Sequence, residues 1–108
     1  MKASSSKKRR ILLWKYLMIA GGDRIEPIVE RLQQQGFMVI THLDGRKPKM
    51  MIKEIPRKVD VVLILTDYIS HNLSIIVKKK AQEKSIPVYF SKRSWTSISC
   101  ELKKIKTA

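Results

Sequence analysis

Apolar positions fall into short continuous runs that alternate with stretches where they recur every three or four residues. The run 16–20 (YLMIA) is apolar throughout and stops at Gly21-Gly22. A run apolar on both faces is what a strand buried in a parallel sheet requires. Leu12 to Trp14 either extends that strand or leads into it. From Asp23 the pattern turns helical. At 100° per residue, Ile25, Ile28, Val29 and Leu32 share one arc, with Glu26, Glu30, Arg31 and Gln34 opposite. Asp23 stands where a helix cap belongs, Pro27 falls in the first turn, and Gly36 supplies a left-handed stop.

The alternation continues to the end of the chain. Phe37 to Leu43 reads as a second strand, ended by Asp44-Gly45. Between Pro48 and Pro56, the shared face of Met51, Ile52 and Ile55 predicts a short helix over 48–58. Val59 to Leu65 (VDVVLIL) is β-branched and continuous, and reads as the clearest strand. A helix follows from Ser70, its cap, to about Lys84. Pro87 to Phe90 is a fourth strand. Ser94 then caps a last helix that turns Trp95, Ile98, Leu102 and Ile105 inward, which leaves Cys100 on its outer side with Ser97, Lys103 and Lys104.

Strands alternating with helices specify an α/β fold with a parallel sheet covered on both faces. Right-handed crossovers leave few topologies. The expected architecture is a single Rossmann-like or flavodoxin-like half unit, a four-stranded parallel sheet in the order 2-1-3-4. It occupies residues 15–108, after a basic tail or lead-in over 1–14. With sheet edges on either side and Ile75 pointing away from the inner face of Leu73, Val77 and Ala81, the pattern also predicts a homodimer.

Charge adds a preference for partners. The 108 residues carry 23 Lys and Arg against 9 Asp and Glu, a formal net charge of +14. Lys2, Lys7, Lys8, Arg9 and Arg10 supply five of those charges, so the folded part is itself basic. That balance favours an anionic small molecule or nucleic acid as partner, against the plain alternative of solubility by like-charge repulsion. The single cysteine has no partner for an internal disulfide, which fits a reducing cytoplasm. The apolar run after the Lys-Arg cluster is broken by Lys15, and no stretch approaches the length of a membrane span, so no membrane is expected.

In sheets of this kind ligands sit outside the carboxyl ends of the strands, where the strand order reverses. Strand one delivers Gly21, Gly22, Asp23 and Arg24 there. Strand two delivers His42, Asp44, Gly45 and Arg46. Strand three delivers Thr66, Asp67, Tyr68, Ser70, His71 and Asn72, and strand four delivers Ser91, Lys92, Arg93 and Ser94. Gly21-Gly22 before a helix allows close backbone approach and offers N–H groups to an anion. Yet G-G-D-R lacks the spacing of known phosphate loops, and Asp23 would repel a phosphate. Phosphate cradle and plain turn are both open.

Three functions follow. The first is a non-catalytic module that binds a nucleotide-like anion through Gly21, Gly22, Arg24, Thr66, Asp67, Tyr68, Ser70, His71 and Arg93. The second is a nucleic-acid accessory protein using Lys7, Lys8, Arg9 and Arg10 with Lys78 and Lys79 of the third helix. No tyrosine interleaves with that lysine run, so base stacking is not expected on it. The third is an enzyme using Asp67 and His71, although no nucleophile–base spacing specifies the chemistry. His42 and His71 stand apart with no zinc-type spacing, so no metal is expected, and no cofactor is specified.

Gly21-Gly22, Asp44-Gly45, the Val-Asp-Val-Val run leading into Thr66-Asp67-Tyr68-Ile69-Ser70-His71, and Pro87-Val-Tyr-Phe-Ser91 followed by Ser94 together resemble domain of unknown function family 2325. These are small bacterial proteins, and the similarity spans about residues 15 to 105. The T-D-Y-x-S-H stretch is its most specific part. The resemblance implies a small Rossmann-like domain and no particular activity. The Lys-Arg tail is not part of the family pattern.

Overall fold

The computed structural model describes residues 15–22, 24–44 and 54–107. The Lys7–Arg10 cluster, the Asp23 cap, Gly45, Arg46 and residues 48–53 lie outside the described residues. Four strands, β1 (Lys15–Ala20), β2 (Phe37–Leu43), β3 (Val61–Leu65) and β4 (Val88–Ser91), form one sheet in the order β2-β1-β3-β4. All neighbours run parallel. The described helices are α1 (Glu26–Gln34), α2 (His71–Glu83) and α3 (Trp95–Thr107), with a short 3₁₀ turn over Thr66–Tyr68. This is the α/β fold and strand order expected from the apolar pattern.

Alternation along the strands divides the core into two layers. Leu17 and Ile19 of β1, with Val61, Leu63 and Leu65 of β3, pack against Ile28 and Leu32 of α1 and Ile98, Leu102 and Ile105 of α3. Met18, Ala20, Val62 and Ile64 face the other way, onto Val77 and Ala81 of α2 and onto Ile55 and Val59. Every residue of β3 is buried. Each such side chain contributes roughly 1.5–3 kcal/mol, which makes β3 the best-anchored strand. Across the first layer, Arg31 of α1 lies 5.5 Å from the ring centre of Trp95.

Several boundaries move. β3 begins at Val61 rather than Val59, because Asp60 is diverted into a clasp with β1. Its N–H donates to the Tyr16 carbonyl at 2.7 Å, and its Oδ2 accepts from the Tyr16 N–H at 2.9 Å. β4 runs to Ser91, one residue further than expected. α1 starts only at Glu26, with Ile25 at its cap position and no side-chain cap bond there. Ser70 caps α2 as expected, accepting from the Leu73 N–H at 3.2 Å. Ser94 does the same for α3 through the Ser97 N–H at 3.3 Å.

The predicted helix over 48–58 is corrected where it is described. Residues 54–58 are not helical; they hold a turn closed by the Val59 N–H on the Pro56 carbonyl at 3.1 Å. Pro56 has no N–H to give a helix. Ile55, one residue of the face that suggested a helix, is buried in the second layer. Cys100 and Ile75 are both exposed, as their helix registers require. Among the described residues no helix is long and apolar enough to cross a membrane.

Gly21 shows why a glycine pair follows β1. Its φ is +109°, and a Cβ there would sit 2.9 Å from the Leu65 carbonyl oxygen. Gly36 also has positive φ, at +90°, but faces open space. Gly36→Ala therefore incurs mainly the backbone penalty, about 1–2 kcal/mol. Gly21→Ala adds a clash with backbone that cannot yield, and is expected to cost about 3 kcal/mol or more. Urea unfolding of the two variants checks the ranking; equal losses would contradict it.

Candidate functional site at the carboxyl ends of the strands

Parallel strands bring the β1–α1, β3–α2 and β4–α3 connections to one end of the sheet. The 3₁₀ turn after β3 joins the other two. The Gly22 N–H donates to the Tyr68 carbonyl at 3.0 Å. Thr66 Oγ1 donates to the Ser91 carbonyl at 3.3 Å. Asp67 Oδ1 accepts the Arg93 N–H at 2.9 Å. The residues of the T-D-Y segment thus each reach a neighbouring connection.

Arg93 completes the arrangement with its side chain. Its guanidinium carbon lies 5.7 Å from the centre of the Tyr68 ring, and its Nη2 donates to the Arg24 carbonyl. A Cβ on Gly22 would stand 3.9 Å from Arg93 Nε, so the guanidinium passes directly over the glycine turn. Among the described residues no carboxylate pairs with this guanidinium. It is a cation held in place by a ring face and a carbonyl.

The glycine pair itself has little left to offer an anion. The Gly21 N–H donates to the Leu43 carbonyl at 2.8 Å, and the Gly22 N–H is taken by Tyr68. The two carbonyls are engaged as well. His42 Nε2 lies 2.9 Å from Gly21 O and 3.2 Å from Gly22 O. Carbonyls only accept, so Nε2 carries the hydrogen. The pair is a tightly bonded turn, and its N–H groups form no cradle.

His42 was legible only as a polar residue at the end of strand two. A register shift between β1 and β2 at Leu17/Met18 aims it at the glycines. Past the shift, Ile19 pairs with His42 and Ala20 with Leu43, so the imidazole shares the face of the α1/α3 layer. A bulge that re-aims a side chain leaves no signature in apolar periodicity.

Of the other expected residues, Ser70 is occupied as a helix cap and Tyr68 is 53% exposed. His71 is the first residue of α2 and is exposed; among the described residues no hydrogen bond joins it to Asp67. Arg24 contributes its carbonyl to Arg93 and exposes its side chain. Lys78 and Lys79 are exposed on α2, away from this turn in sequence. Among the described residues no group of three potential metal ligands exists.

Charge favours the β3–β4 side of this edge. The N-terminal ends of α2 and α3 lie there with no acidic residue in either first turn, whereas α1 opens with Glu26. A helix start carries about half a positive charge. A cleft of about 470 Å³ between α1 and β2 has Glu26 and Glu30 in its lining, the wrong sign for an anion. A second cleft, about 430 Å³, adjoins the 3₁₀ turn and is lined by Thr66, Phe90, Ser91, Lys92, Thr96 and their neighbours on α3. Its one carboxylate, Glu101, is bound by Lys104 at 3.0 Å, and that bond holds the lysine pKa above its ordinary value.

Asp67→Ala removes the acceptor for the Arg93 N–H and is expected to destabilise the fold by about 1–2 kcal/mol. Thr66→Val, which loses a longer bond, is expected to cost less than about 1 kcal/mol. Denaturant titration measures both; an Asp67→Ala variant as stable as the parent would show that the turn does not hold the β4–α3 connection.

A search of curated proteins and a search of solved structures each give no significant match. A family model does match, over residues 15–105, which takes in all four strands and the whole carboxyl-end turn system. Its description is "Uncharacterized protein conserved in bacteria (DUF2325)", and the chain belongs to that family.

Proposed function

We propose that the chain is a non-catalytic module that binds an anionic, nucleotide-like ligand at the carboxyl ends of its strands. The observation that carries this reading is the Arg93 guanidinium, stacked on Tyr68, tied to the Arg24 carbonyl and without a carboxylate partner among the described residues. A cation already immobilised loses little entropy when it accepts an anion. Lys92 precedes it in the chain, and the first turns of α2 and α3, which contain no acidic residue, add partial positive charge. The ligand would be recognised by side chains and helix starts, with the glycine turn as a floor.

A binding role fits better than catalysis by Asp67 and His71. One Asp67 oxygen accepts a backbone N–H, and no hydrogen bond orients it toward the imidazole. General acid–base pairs need that mutual orientation.

Calorimetric titration with ATP and with inorganic pyrophosphate tests the reading. Both are expected to bind at low salt and to be recovered unchanged. Arg93→Gln should weaken binding by about tenfold or more. Arg93→Lys, which keeps the charge and loses the planar fork, should fall between. Binding unaffected by Arg93→Gln, or no binding of either anion, would contradict it.

A further inference from the structure

The lysine run of α2 acquires an aromatic partner that its own sequence does not contain. Phe90, on the outer strand β4, is 41% exposed, and Lys78 Nζ lies 5.9 Å from its ring centre. Tyr68 is the other strongly exposed aromatic of this edge, and it too carries a cation on its ring. Phe90 and Thr66 both line the cleft of about 430 Å³, together with Lys92, Thr96 and Ser97. Asp67, next to Thr66 in the chain, accepts the Arg93 N–H, and Arg93 lies over Tyr68, which links the Tyr68 ring to a residue of the cleft lining.

From this juxtaposition we infer that the surface from Phe90 to Tyr68 binds single-stranded nucleic acid, with bases stacked on the two rings and phosphates met by Lys78, Lys92 and Arg93. Each component has a physical reason. An aromatic left in water beside a cation offers a face to any base, whatever its sequence. Lys78 beside Phe90, Lys92 in the cleft lining and Arg93 over Tyr68 supply three cations, and the one carboxylate in the cleft lining is already bound by Lys104. Duplexes hide their base faces, so two exposed rings select unpaired strands. The net charge of +14 supplies long-range attraction to a polyanion. This deepens the anion-binding reading and rests on it for Arg93, while Phe90 and Lys78 stand outside that reading.

Fluorescence anisotropy with a labelled eight-nucleotide oligothymidylate tests the inference on the full chain. The parent is expected to bind it more tightly than a duplex of equal length, and to lose about twentyfold in affinity between 50 and 200 mM salt if three phosphates are engaged. Phe90→Leu keeps an apolar side chain and removes the stacking face; it should weaken binding by about tenfold or more with an unchanged unfolding midpoint. Equal binding by Phe90→Leu and parent, or equal affinity for duplex, would overturn the inference. ATP binding without oligonucleotide binding would overturn it and leave the Arg93 reading intact. Oligonucleotide binding lost in Phe90→Leu yet untouched in Arg93→Gln would support it and remove Arg93. Sedimentation gives the remaining outcome: a dimer that Phe90→Leu dissociates would make this face a subunit contact and overturn the inference.

Discussion

Three hydrogen bonds on three consecutive residues set the geometry of the carboxyl end. Tyr68 takes the Gly22 N–H through its carbonyl, Thr66 reaches the Ser91 carbonyl, and Asp67 accepts the Arg93 N–H. Each bond contributes only about 1 kcal/mol. Their importance is geometric, because they tie the connections after β1 and β4 to the end of β3, the strand with every residue buried. The close passage of Gly21 over Leu65 follows from the same constraint, as does the position of Arg93 above the glycine turn. If the 3₁₀ turn were displaced, the cation, the ring beneath it and the cleft beside it would separate.

The apolar pattern carried the fold because both sheet faces are buried, so strands read as continuous runs and helices as amphipathic arcs. Val61–Leu65 and the face of Ile98, Leu102 and Ile105 are the plainest cases. The pattern failed where a residue is buried without a regular element. Ile55 packs in the core from a non-helical segment ahead of a turn, where the apolar spacing had predicted helix. It also failed where one polar side chain redirects the backbone, as Asp60 does at the start of β3.

The site was legible as a set of residues and not as a set of contacts. Topology alone gathers Gly22, Asp67 and Arg93 at one end. The consumption of the Gly21 and Gly22 N–H groups depends on partners in β2 and after β3, which local sequence does not name. His42 depends on a register shift, and Phe90 on β4 being an outer strand. Val88, Tyr89 and Phe90 are all apolar, so nothing in their order distinguishes the exposed ring from its neighbours. The common direction of the helix starts is likewise a product of topology, since a parallel sheet points its following helices the same way.

The connections at the carboxyl end behave as one ordered unit held by the Thr66–Tyr68 turn. Native-state amide hydrogen exchange addresses it at two positions, the Gly22 and Arg93 N–H groups. Both lie in connections between elements, where amides ordinarily exchange freely. Both are expected to exchange about a hundredfold or more slowly than in an unstructured chain, and to open together. Exchange of either amide at the rate of an unstructured loop would contradict it.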